Sequence, residues 1–132
     1  MNNYSPWKEV NFNGVKYYLK GNVFFNKELL IPEKLAELLH PLLSIENENQ
    51  EKEIGNFFKE LNGQFSIVAE STKKIFCVVD KLRSIPLFYT MAKGIFIVSD
   101  NAYHLKEKIN LPLNEKNAAE FLVAGYVTGN ET

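Results

Sequence analysis

Cysteine is almost absent from this chain: the single residue, Cys77, cannot make an intrachain disulfide, so a small disulfide-stapled scaffold is excluded. An excess of charge is missing too. Fifteen Lys plus Arg stand against sixteen Asp plus Glu in 132 residues, a net charge of −1, and net charge alone gives no broad attraction to nucleic acid or anionic lipid. No apolar run approaches the roughly 20 residues of a membrane span, and Met1 to Val10 lacks the hydrophobic stretch of a signal peptide. A reduced, cytoplasmic setting is the expectation. The seven glycines are scattered and form no phosphate-cradling loop after a strand, which argues against nucleotide binding. The two histidines, His40 and His104, have no Cys or carboxylate at ligand spacing, so no metal motif arises and both read as surface or helix-end residues. What the chain has in quantity is core material: 45% hydrophobic residues, with ten Phe, six Tyr and one Trp. That suffices for one compact domain.

The order of residues predicts α+β architecture. Glu9 to Phe12 and Val15 to Lys20 flank Asn13-Gly14, the dipeptide that best supplies the two positive φ angles of a type I′ hairpin. A short strand, Asn22 to Phe25, is expected after Gly21. Pro32 suits the first turn of a helix whose apolar face is Leu35, Leu38, Leu39, Leu42 and Leu43, bent or ended near Pro41. Ile45 to Glu53 is polar and reads as a solvated loop; a second helix begins near Glu53, presents Ile54, Phe57, Phe58 and Leu61, and stops at Asn62-Gly63. The period then changes to two. Phe65–Ala69, Ile75–Val79, Leu87–Met91 and Ile95–Val98 read as four strands of an antiparallel meander. Ser99 or Asp100 is expected to cap a helix to about Lys108, and Asn114 another containing Ala118, Phe121 and Leu122. Helices and antiparallel strands segregate along the chain, which is the α+β pattern of a sheet flanked by helices.

Few residues offer chemistry. Cys77 lies in an apolar strand that would bury it and raise its pKa, so core packing is its expected role. No serine or cysteine sits on a sharp strand-to-helix elbow. Asp80, Lys81 and Arg83 place three charges at the end of a strand, where they pair with one another or face a cleft; an Asp80–Arg83 ion pair fixing the loop is the simpler expectation.

The run Phe58-Lys59-Glu60-Leu61-Asn62-Gly63-Gln64-Phe65-Ser66-Ile67, then Val79-Asp80-Lys81-Leu82-Arg83-Ser84-Ile85-Pro86-Leu87-Phe88-Tyr89, then Phe96-Ile97-Val98-Ser99-Asp100, resembles the glutaminase domain of asparagine synthetases. That family reads Leu-x-Gly-x-Phe-Ala, Arg-Asp-Arg-x-Gly-x-(Lys/Arg)-Pro-Leu-Tyr-Tyr and Ala-Ser-Glu in the same order. Phe121 to Thr132 is similar to the Tyr-Leu-x-x-Gly-Tyr-Val-Pro segment that leads into the family's ATP-dependent synthetase domain. The resemblance covers residues 57 to 132 and implies a reduced Ntn-hydrolase-like, class II glutamine amidotransferase domain.

It also implies a loss. The family's nucleophile is a Cys directly after the initiator Met, with its own amine as base; here position 2 is Asn2. If Lys20-Gly21-Asn22 occupies the place of the glutamine-binding Asn-Gly-Glu, both functional side chains are gone. Arg83 stands where the family has glycine, Ile85 where it has a basic residue and Lys81 where it has arginine, while Asp80, Pro86, Leu87, Tyr89 and Ser99 match. The implied role is a non-catalytic scaffold or substrate-recognition domain, with Asp80, Arg83, Ser99 and Asp100 as candidate binding residues and no cofactor or metal of its own. ATP and Mg²⁺ would belong only to an attached synthetase domain, as in relatives that close lactams without glutamine-derived ammonia. The partner would be that synthetase domain, another protein, or a peptide or small-molecule substrate. The alternative from another class is a free-standing α+β interaction module. An enzyme ranks third and would need Asp80, Arg83 and Ser99 in one pocket.

Overall fold

A computed structural model describes residues 6–44 and 48–109, which fall in two compact units, Met1–Leu87 and Phe88–Thr132. The first unit begins with the expected hairpin. β1 (Lys8–Phe12) pairs antiparallel with β2 (Val15–Phe25) around Asn13 and Gly14, whose φ angles of 49° and 80° are those the turn requires. β2 does not stop at Gly21; it is one eleven-residue strand that pairs along its length with β4 (Asn62–Glu70). Gly21, at φ 88°, permits this, because a Cβ there would run into the carbonyl oxygen of Gln64 on the facing strand. The two-residue β3 (Glu28–Leu29) returns against the end of β2, and β5 (Ile75–Val79) adds to β4, giving the order β1-β2-β4-β5 with β3 beside β2.

Two helices cover one face of this sheet. α1 (Pro32–Ser44) continues three residues past Pro41. Leu42 and Leu43 pack against the core, and the Gln50 amide Nε2 donates to the carbonyls of both, 3.1 Å each, so the last turn is held despite the proline. α2 (Gln50–Glu60) starts earlier than the apolar spacing suggests, with Glu51 and Glu53 at its positive end. Asn62-Gly63 is not its stop: Leu61 is already extended, and Gly63, at φ 119°, lies against the Asn22 carbonyl as the second residue of β4. The core is Tyr17, Leu19 and Val23 of β2, Leu35, Ala36 and Leu39 of α1, and Phe65, Ile67 and Ala69 of β4, with Leu30 and Leu61. Odd positions of β2 and β4 point to the helices, as period-2 burial dictates.

The expected meander is broken. β4 and β5 form a hairpin in the first sheet, but β6 (Phe88–Ala92) and β7 (Ile95–Ser99) form a separate two-stranded sheet. The chain leaves the first sheet at Asp80, where a tight turn with the Arg83 N–H donating to the Asp80 carbonyl ends the pairing. In the second unit α3 (Ala102–Ile109) buries Leu105. Its N-cap is Asn101, whose Oδ1 accepts from the Tyr103 N–H at 3.0 Å; Ser99 instead accepts from the Asn101 N–H. The helix expected after Asn114 and the motif from Phe121 lie outside the described residues. The α+β class with an antiparallel sheet flanked by helices is what the fold shows.

Candidate functional site: the loop after the fifth strand

Asp80 is 5% exposed at the end of β5. Its Oδ2 accepts from the backbone N–H of Phe65 at 3.2 Å and of Ser84 at 3.1 Å; its Oδ1 accepts from the Leu82 N–H at 2.9 Å and the Ser84 hydroxyl at 3.1 Å. Burial alone would raise this carboxyl's pKa. The hydrogen bonds from Leu82, Phe65 and Ser84 outweigh that and hold it below the usual aspartate value. The Asp80–Arg83 ion pair is not formed: the carboxylate spends its lone pairs on its own loop and on β4, while Arg83 is exposed at φ 52°. Lys81 turns to the Lys59 carbonyl, 3.5 Å away.

The loop so fixed folds onto the sheet face that the helices leave uncovered. Ser66, fully buried in β4, donates its hydroxyl to the Ile85 carbonyl, and the Ile85 side chain lies over Gly21. Beside the loop is a depression of about 350 Å³ between α2 and the β4–β5 hairpin, lined by Phe58, Lys59, Gly63, Val78, Asp80 and Leu82. Its walls are mostly apolar, and the one carboxylate reaching it is saturated with donors.

Ser99 and Asp100 belong to the second unit. There Ser99 positions the start of α3, and both residues are half-buried. Asp80 holds the start of this loop and Ser66, a residue the sequence did not single out, holds its end, with Arg83 exposed between them. The missed signal was the small residue directly after Phe65, which a fully buried strand position beneath a loop requires.

Cys77 corrects another expectation. It occupies the face of β5 away from the helices and is exposed, because Phe76 and Val78 take the core-facing positions. Partial shielding still pushes its thiol pKa up, the wrong direction for a nucleophile. His40 is not a surface residue either: half-buried in α1, its Nδ1 meets the Tyr17 hydroxyl at 2.9 Å and its ring stands edge-on to Phe12. Burial pushes the Tyr17 hydroxyl up to about 12. Twenty-three residues separate the pair in sequence, so no local pattern announces it. His104 is exposed as expected. Among the described residues no group of His, Cys, Asp and Glu could hold a metal ion. No family model matches the chain, and neither a curated protein nor a solved structure matches it.

Proposed function

We propose that this chain is a non-catalytic scaffold or substrate-recognition domain of an asparagine-synthetase-like protein that forms amide bonds with ATP, and that it has no glutaminase activity of its own. The observation that carries this reading is the commitment of Asp80: the most family-like segment of the sequence, residues 79 to 89, centres on a carboxylate bound wholly to donors of its own loop and of β4. Two details support the same reading. Arg83 replaces the family's glycine yet keeps a left-handed backbone at φ 52°, the conformation for which glycine is the usual residue. Ser66 stands where the family has alanine and is fully buried, so only a small side chain fits. The domain contributes shape and a docking surface, and ATP-dependent chemistry belongs to the synthetase part.

The test has two arms. The purified chain should release no ammonia from glutamine, and an antibody against it should detect, in source cells, either a polypeptide well above 15.2 kDa or a stable complex with a separate ATP-dependent amide-forming chain. Glutamine hydrolysis lost on changing Asn2 would overturn the non-catalytic assignment. A solitary 15.2 kDa protein bound to no such enzyme would overturn the parent assignment and leave the free-standing interaction module.

A further inference from the structure

The depression beside the Asp80 loop exists because two paired strands end at different places. β5 pairs with β4 only as far as Val79 opposite Ser66, the Asp80 carbonyl then closes a turn with the Arg83 N–H, and β4 runs on to Asn62 with no β5 residue alongside. The other wall is α2, whose Phe58 ring is fixed by stacking on Phe76 at 5.5 Å. A glycine keeps that wall thin. Gly55 lines the depression from the middle of α2, where glycine weakens a helix, yet an added Cβ would meet nothing within 4 Å. Packing does not call for a glycine there; its missing side chain leaves room at the depression. All the lining residues belong to the first unit.

The charges at this depression select a ligand. Its only acid, Asp80, spends both oxygens on four donors of the protein itself. Lys59 and Lys81 also line it, and neither has a carboxylate partner among the described residues; the Lys81 amine meets only the Lys59 carbonyl, at 3.5 Å. Two ammonium groups beside a mostly apolar surface suit an anion with an apolar body. We propose that the depression binds a small apolar carboxylic acid, with its carboxylate toward Lys59 and Lys81 and its hydrocarbon part against Phe58, Val78 and Leu82. The volume of about 350 Å³ lies at the lower end of small-molecule sites and suits one such molecule. Phosphate fits poorly, because a dianion gives up more hydration at apolar walls than two lysines return. The proposal rests on the substrate-recognition reading above and adds what is recognised.

The test uses the full chain, with phenylbutyrate as the probe. A titration followed by amide NMR should shift Lys59, Gly63, Val79 and Leu82 together, with one dissociation constant on the order of 0.1–1 mM for a ligand of this size. Phenylbutyramide, the same body without the charge, should bind roughly tenfold more weakly. Lys59→Gln and Lys81→Gln should each weaken binding of the acid about threefold, and Lys81→Arg should keep it. Gly55→Leu, which fills the space and strengthens the helix, should abolish binding while raising the thermal midpoint. No shift at about 10 mM acid, equal binding of acid and amide, or a Gly55→Leu chain that binds as well as the unmodified one would overturn the proposal. Tighter binding of the peptide acetyl-Gly-Gly-Phe than of the free acid would also overturn it, making a chain terminus the occupant. None of these outcomes bears on the parent assignment, which is read from ammonia release and native mass.

Discussion

The two faces of the first sheet are built from the same strands and differ in nearly everything else. On the helix face Tyr17, Leu19, Val23 and Ile67 are at most 1% exposed, closed by two amphipathic helices. On the opposite face Ile75 is 40% and Phe24 38% exposed, and burial there is confined to Ser66 beneath the Ile85 segment and to Lys20, whose amine lies 5.9 Å from the Trp7 ring. One face is closed by hydrophobic area. On the other, the Ile85 segment is held over Ser66 by polar hydrogen bonds, and the Asp80 carboxylate anchors the loop that leads to it.

The sharpest way to break the comparison is to weaken the two closures separately. Ile67→Ala removes a fully buried core side chain and should cost about 2–5 kcal/mol, seen as a large drop in the urea midpoint with the whole first unit affected. Asp80→Asn should cost about 2–3 kcal/mol, because an amide cannot accept from all the donors that face the carboxylate. Its effect should be local: amide exchange should accelerate at Phe65, Leu82 and Ser84 and not in α1. Since the Asp80 pKa is lowered on folding, its contribution is complete above the ordinary aspartate value of about 3.9 and fades as pH falls through the folded value. The Asp80→Asn variant should lose that part of the acid dependence.

Smaller changes sharpen the contrast. Tyr17→Phe deletes the hydroxyl shared with His40 and should cost about 1 kcal/mol. With the Tyr17 pKa raised to about 12, the unmodified protein is stabilised fully below pH 10 and loses that contribution as pH climbs from 10 towards 12. Base-induced unfolding should show this window, and Tyr17→Phe should lack it. Arg83→Gly relieves a left-handed side-chain-bearing residue and should raise the thermal midpoint slightly, by less than about 1 kcal/mol in stability. It should do so without changing amide protection on the helix face.

Elements with strong local signals were legible in the sequence. Asn13-Gly14 fixed the first hairpin, and the leucine spacing after Pro32 marked α1. Boundaries were lost where distant contacts decide them. Gln50 rescues the turn after Pro41, Gln64 and Asn22 press on the two glycines that read locally as breaks, and the turn at Asp80 separates strands that read as one meander. At the site, Asp80 was visible as a charge ending an apolar strand, but its partners were not. An ion pair with Arg83 is what proximity suggests; backbone N–H groups win because they sit at fixed positions and need no long side chain to be ordered. Cys77 was misjudged because an edge strand with an all-apolar sequence looks buried on both faces.

The architectural role of Asp80 is tested most directly by following its side-chain carboxyl carbon by NMR from pH 6 to pH 2 while recording the amides of Phe65, Leu82 and Ser84. The account predicts that the carboxyl titrates below about 3.9 and that the three amides shift with the same midpoint as their acceptor is protonated. A carboxyl that titrates at or above the ordinary value while the three amides stay still would contradict it. Asp80 would then be a free acid facing the depression rather than the clamp that holds the loop on the sheet.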